Sequence, residues 1–215
     1  MIRQPFKHTR RIIIEPGEYY VSNTQEVIST LLGSCVAACL YDPVNNVIGM
    51  NHFLLAYERP SFNHSLIEYD GGRYGIHAME LLINDMIAKG ANKENLKAKC
   101  FGGGDVLNLH GDLVGRRSVG GANIDFIRKF LKEEKIPITG SSLGGKNGRN
   151  VHFIGEDFSV YVKQVEQKRA LFVQQTERTY RQKTITEHEQ LATKSQITNQ
   201  NFVKAIGISA LVKYN

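Results

Sequence analysis

The sequence predicts an α+β fold in which mixed β-sheets are backed by two principal helices. Three observations lead there. The first 55 residues are a succession of short Val-, Ile- and Leu-rich runs cut by turn residues, the pattern of β-strands. Two later stretches, 76–89 and 123–134, instead repeat apolar residues at helical spacing. The chain then returns to short extended runs at 137–140, 151–154 and 159–165 around a glycine-rich loop. With 215 residues, 41% of them hydrophobic, there is material for a sizeable core. The length suits one domain plus an extension, and the division falls into a domain over 1–165 and a polar, basic extension over 166–215.

In chain order, residues 1–10 are polar and basic and are expected to be loose. The runs 11–14 and 19–22 flank Pro16-Gly17 and read as strands joined by a turn. Residues 25–32 lead into Gly33-Ser34-Cys35. The apolar runs on either side of Asp42-Pro43-Val44-Asn45-Asn46 make a β-hairpin. Residues 58–73 hold Pro60, Asn63, Asp70 and a Gly-Gly pair with little periodicity, so a long loop framing a cleft is expected.

Ile76, Met79, Leu82 or Ile83, and Met86 or Ile87 recur at helical spacing along the first helix, which Lys89 and Gly90 stop; His77 falls on its surface. Arg73 and Tyr74, just before it, either contact a substrate or cap and pack the helix. Residues 96–101 read as a strand ending on Gly102-Gly103-Gly104, whose spacing fits no phosphate-binding motif. Close backbone approach near the cleft is the expectation there, with Gly103 lining it and Asp105 beside it. Ile124, Ile127, Phe130 and Leu131 turn inward on the second helix, which Ile136-Pro137 ends. The loop 144–149 is glycine-rich and basic, as an anion would require, and His152 reads as a strand pairing residue. Beyond 165 the chain is Gln- and Thr-rich, with a helix allowed over 164–178 and an apolar run at 203–212.

Charge and cysteines bound the function classes. From Lys163 onward there are nine Lys or Arg against four Asp or Glu, leaving 18 against 17 before it. The tail alone is basic, which favours acidic partners or anionic surfaces without implying specific nucleic-acid binding. No run reaches the 18 or so apolar residues of a membrane span, and the N-terminus lacks a signal-peptide pattern, so the cytoplasm is the expected compartment. Three sparse cysteines, Cys35, Cys39 and Cys100, suit reduced thiols rather than a disulfide framework. Together with His52 they lack the paired spacing of a structural zinc site, so no metal is expected.

The chemistry concentrates in 30–55. With a loop over 42–45, paired positions sum to 87 and Cys35 lies directly opposite His52, near enough for thiol and imidazole to meet. A loop one residue longer would put Val36 there instead. An imidazole, or amide dipoles from the Gly33-Ser34 turn, would favour the thiolate, the attacking species in nucleophilic catalysis, and the same amides would cradle an oxyanion. A cysteine in an apolar run also fits a plain core position.

LLGSCVAACLYDP followed by GMNHFLL, then GRYG running into AMELLINDM, AKCFGGGDVL, IDFIRKFLKEEKIPI and SLGGKNGRNVHF, resemble the chemoreceptor glutamine deamidase family, the CheD proteins of bacterial chemotaxis, block by block and in that family's order. The resemblance covers roughly residues 10–165. It implies a three-layer α/β sandwich similar to the catalytic domains of cytotoxic necrotizing factor toxins. It also implies hydrolysis of glutamine side chains to glutamate in methyl-accepting chemotaxis receptors, through a cysteine thioester, with no cofactor. Residue by residue, the family's nucleophile falls on Cys35 and its histidine on His52. Its third member, a threonine that orients the histidine, falls by spacing on Ser29, with Thr30 as runner-up. The resemblance further implies a partner, a chemotaxis phosphatase of the CheC type, and leaves a non-catalytic adaptor as the alternative function.

Overall fold

Residues 1–6, 8–55, 70–106, 118–165, 175–180, 182–183 and 186 are described by the structure, a computed structural model, with 70–73 described in backbone only. In chain order they form Ile2–Phe6 (β1), Thr9–Ile13 (β2), Tyr19–Ser22 (β3), Val27–Leu32 (β4), Val36–Asp42 (β5), Val47–Asn51 (β6), Asp70–Ala88 (α1), Lys97–Gly102 (β7), Val119–Glu133 (α2), Ile138–Leu143 (β8), Arg149–Ile154 (β9) and Val160–Gln164 (β10). A 3-10 turn spans Lys93–Asn95, and 175–180 is helical.

β5 sits at the centre because its sequence leaves it no other place. All seven of its residues are buried, as a continuous apolar run requires when both faces of a sheet are covered. The central sheet runs β3-β6-β5-β7-β8 and the outer sheet β1-β2-β4-β9-β10. Both are mixed, with β7 parallel to β8 and β2 parallel to β4.

Alternation along β5 divides its side chains between two cores. Val36, Ala38 and Leu40 face α1 and α2, meeting Met79, Leu82, Met86, Phe126 and Leu131. Cys35, Ala37, Cys39 and Tyr41 face the outer sheet, meeting Ile12, Ile28, Leu32, Val151 and Phe153. The order of layers is therefore helices, central sheet, outer sheet, the α+β sandwich expected. Glycine sets how closely the elements approach: a Cβ at Gly49, on β6, would lie 2.8 Å from Leu82 of α1, and one at Gly75, on α1, 2.5 Å from Phe126 of α2.

Two expectations change, and one gains a layer crossing. The described residues of 1–10 are not loose: β1 pairs with β2 from Ile2↔Ile13 to Phe6↔Thr9. Arg11 donates to Gln4 at 2.6 Å and lies over the Phe6 ring, contacts that composition alone does not suggest. The runs flanking Pro16-Gly17 are strands, but β2 and β3 belong to different sheets, so the turn there carries the chain between layers. Both helices begin earlier than their apolar periodicity, at Asp70 and Val119 rather than 76 and 123. Their first turns contain Gly71, Gly72 and Gly75, or Gly120 and Gly121, which give no period to read; Ser118 caps α2 by accepting from Gly121 N at 3.1 Å. Residues 70–73 of the long loop expected over 58–73 are helical, and 58–69 and the run 203–212 lie outside the described residues. Among the described residues no helix is long and apolar enough to cross a membrane.

Two glycines test this geometry. A Cβ added at Gly90 (φ +100°) would meet nothing within 4 Å, whereas at Gly102 (φ +105°) it would lie 2.2 Å from the Cys35 carbonyl oxygen. Gly90→Ala should cost about 1–2 kcal/mol for the left-handed backbone alone, and Gly102→Ala about 3 kcal/mol or more because overpacking adds to it. Urea unfolding of both variants checks this, and equal losses would show that β7 can move away from Cys35.

Candidate active site

The register of the β5–β6 hairpin decides which side chains meet. Asp42 pairs with Val47, Cys39 with Met50 and, beyond the ladder, Val36 with Phe53. Paired positions therefore sum to 89 rather than 87. The loop keeps its expected length of four residues but lies one residue later, over 43–46, because Asp42 stays in the strand and binds the turn with its carboxylate. Its oxygens accept from Val44 N, Asn45 N, Asn45 Nδ2 and Asn92 N at 2.7–3.1 Å, and Asn46 takes a positive φ of 55°. A two-residue shift preserves the face. In this register Cys35 falls opposite Leu54, and His52 is its diagonal neighbour on the same side of the sheet rather than its direct partner. Diagonal neighbours remain within reach of long side chains.

The thiol of Cys35, a ring nitrogen of His52 and a carboxylate oxygen of Glu177 all lie within 4.8 Å of one another. Thr30 Oγ1 stands 2.7 Å from His52 Nδ1 and donates to the Ile14 carbonyl at 2.8 Å. A hydroxyl has one proton to give. With that proton on Ile14, Thr30 accepts from Nδ1–H, which fixes the imidazole tautomer and leaves Nε2 with a free lone pair. That atom is buried and has no hydrogen-bond partner among the described residues, and it is the nitrogen left for the thiol. Burial holds His52 neutral, lowering its pKa from 6.5 to about 4 against the opposing charges of Glu177 and Glu18.

The position expected first for Ser29 is therefore held by Thr30. Ser29 bonds instead to His152 Nδ1 at 2.8 Å, its partner across β4 and β9. Neighbouring residues of a strand point to opposite faces, so of two adjacent hydroxyls only one can reach His52.

The Gly33-Ser34-Cys35 turn is polarised. Its three carbonyls are tied off from behind: Gly33 O accepts from Gly104 N at 2.7 Å, Ser34 O from Asn123 Nδ2 at 2.8 Å, and Cys35 O from Gly103 N at 2.7 Å. Its three amides point together at the Glu177 carboxylate, with Gly33 N and Cys35 N on Oε1 at 2.8 and 3.1 Å and Ser34 N on Oε2 at 2.8 Å. Ser34 Oγ adds a fourth donor at 2.6 Å. Thiolate formation, expected from these dipoles, is opposed in this arrangement. Burial first, then the charge of Glu177 and a hydrogen bond to it, hold the Cys35 thiol well above its ordinary pKa.

Gly103 supports the turn from behind, packed against Ile124. Tyr74 is half-buried within α1, in whose first turns Arg73 also lies, the latter with its side chain outside the described residues. Asp105 is exposed. In the 144–149 loop Arg149 turns inward onto the carbonyls of Ser142 and Gly144, so its charge is spent on the backbone. Cys100 faces the helical core, on the opposite side of the sheet from Cys35 and Cys39, so these three cysteines and His52 do not assemble as a ligand set.

Two residues escaped the sequence reading. Asn123 is fully buried, and besides holding Ser34 O it accepts from Leu55 N at 2.9 Å; its inward place on an apolar helix face was a readable signal. Glu177, 142 residues from Cys35, gave none.

Comparison with known proteins bears on this site. A family profile described as CheD chemotactic sensory transduction matches residues 60–164. The chain is 50% identical over 169 residues to the probable chemoreceptor glutamine deamidase CheD 2 of Shewanella oneidensis, covering 78% of this chain and 83% of that one. Identity to the probable chemoreceptor glutamine deamidase CheD 1 of Geobacter sulfurreducens is 45% over 181 residues, 84% of this chain and 90% of that one. The probable chemoreceptor glutamine deamidase CheD of Methylobacillus flagellatus is 42% identical over 154 residues, 72% of this chain and 73% of that one. A match of 181 residues within 215 spans both His52 and Glu177 wherever it begins, so likeness to the Geobacter protein runs past residue 165.

An NMR pH titration with imidazole nitrogen assignment tests the tautomer. His52 should be neutral and Nδ1-protonated at pH 7, taking a second proton only near pH 4. Thr30→Ala should cost about 1–3 kcal/mol, the penalty for a buried donor left without a partner, and disturb the His52 signals, whereas Ser29→Ala should shift those of His152.

Proposed function

The chain belongs to the CheD family, and on that premise we propose that it hydrolyses glutamine side chains to glutamate in methyl-accepting chemotaxis receptors, with Cys35 as nucleophile and His52 as general base and acid. The observation that carries this reading is the Thr30–His52 hydrogen bond, which leaves a basic ring nitrogen beside a cysteine thiol at the mouth of three convergent amides.

Each step has a group to perform it. His52 Nε2 takes the thiol proton, and the Cys35 sulfur attacks the carboxamide carbon. Negative charge develops on the carboxamide oxygen, where the amides of Gly33, Ser34 and Cys35 donate to it. Collapse breaks the C–N bond, and the imidazolium returns its proton to the departing ammonia. Water, deprotonated by His52, then opens the thioester and frees the glutamate. Thr30 is a positioning residue, since it acts only through the imidazole. The product carries one more negative charge, which repels like charges at helical spacing and so changes how receptor helices pack. Receptor cytoplasmic segments as substrate put the reaction in the cytoplasm.

A second reading, a non-catalytic adaptor that binds receptors and a CheC-type phosphatase, draws on one observation: Cys35 has no exposed surface and its thiol is held protonated.

Incubation with purified receptor cytoplasmic segments separates the two. Ammonia should be released and particular glutamines should gain about one dalton, with Cys35→Ala abolishing both through loss of the nucleophile. Thr30→Ala should lower kcat about tenfold or more and Thr30→Ser restore most of it, while Ser29→Ala stays within about twofold. Deamidation by Cys35→Ala at the wild-type rate would remove Cys35 as nucleophile, and no ammonia from the wild-type chain would leave only the adaptor.

A further inference from the structure

The donors available to a carboxamide oxygen are already in use. Glu177 fills them from within the chain, each carboxylate oxygen accepting two hydrogen bonds, and the residue is 2% exposed. A glutamate side chain is also what hydrolysis of a glutamine leaves behind. The residue sits on the helical stretch 175–180, in the part of the chain beyond the last strand of the outer sheet.

We propose that Glu177 is a built-in product mimic: seated among the Gly33, Ser34 and Cys35 amides it closes the active site, and the segment that carries it withdraws before a glutamine side chain enters. This rests on the deamidase reading above and adds its regulation.

Three observations support it. Cys35 and His52 are 0% and 1% exposed, so no substrate reaches them while Glu177 is in place. Burial first, and then the charge of the carboxylate and its hydrogen bond, raise the thiol pKa, so Glu177 opposes thiolate formation electrostatically as well as blocking the site sterically. Finally, one side of the described segment faces away from the core. Gln175, Arg178 and Thr179 are exposed, and a groove of about 450 Å³ lined by Glu15, Pro16, Gln175, Thr179 and Lys183 runs beside them. Tyr180 is a second anchor, its ring against Gly17, where a Cβ would fall 2.4 Å from the hydroxyl. Cys35, His52 and Glu177 also resemble a metal ligand set. Both carboxylate oxygens are turned onto N–H and O–H donors, however, which is how a protein binds an anion rather than presents a ligand.

The test is alkylation of the full chain with iodoacetamide, followed at each cysteine by peptide mass spectrometry. Cys35 should react slowly in wild type and about tenfold or more faster in Glu177→Ala, as thiolate character and access rise together. Cys39 and Cys100 should stay unreacted in both, which reports an intact core. If alanine loosens that core, Tyr180→Ala replaces it, removing only the anchor ring. Equal labelling of Cys35 in wild type and a folded variant would overturn the proposal.

Glu177→Gln supplies a second measurement, because it places a carboxamide where the product-like carboxylate sits. Cys35 should attack its carbon, ammonia should leave, and water should release the thioester, so that residue 177 gains about one dalton and becomes glutamate. Glu177→Gln combined with Cys35→Ser should keep its glutamine. Persistence of the introduced glutamine in a Glu177→Gln chain that deamidates receptor segments would overturn the product mimic. Faster Cys35 labelling in Glu177→Ala without ammonia from any receptor would sink the deamidase reading instead and leave the closure standing.

Discussion

Everything at this site depends on the polarity of one three-residue turn. Peptide units carry a donor and an acceptor, and buried ones must all be satisfied. At Gly33-Ser34-Cys35 the acceptors are consumed on one side, by Gly103, Gly104 and Asn123, so the donors are left facing the other. Three amides and a hydroxyl aimed at one point form a site for negative charge before any ligand arrives. The glycines behind the turn are needed because backbone must approach backbone: no side chain fits at Gly102 without striking the Cys35 carbonyl.

The histidine is prepared by equally local means. Thr30 belongs to β4 in the outer sheet, and His52 follows β6 in the central sheet. Their hydrogen bond therefore crosses the interface between layers. The backbone of His52 is held separately, its amide on Glu18 O and its carbonyl on Gly17 N. Position comes from the turn at 17–18, and tautomer comes from a hydroxyl whose proton is committed to Ile14. Burial then keeps the ring uncharged, the state in which it can accept a proton.

Family membership and geometry contribute different things. Likeness to the CheD proteins supplies a substrate class, which no distance in the structure could. The geometry supplies partners: adjacent hydroxyls at Ser29 and Thr30 differ only in which face of β4 they leave, and that face gives Thr30 to His52 and Ser29 to His152. It also joins the chain beyond 165 to the site through Glu177, a connection made by one side chain across 142 positions.

The sequence alone determined the fold class, the strands and helices with strong periodicity, and Cys35 and His52 as close neighbours on one side of the central sheet. Each of these rests on local pattern, apolar spacing or the order of motif blocks. It did not reveal β1 or the glycine-rich first turns of the helices, where the signal is weak because pairing or capping, not hydrophobicity, holds the chain. The hairpin register, the choice of Thr30 over Ser29, the place of Asn123 and the entry of Glu177 were decided only by tertiary structure. Those depend on which face a residue presents and which distant segment comes to meet it, and neither is set by the neighbours along the chain.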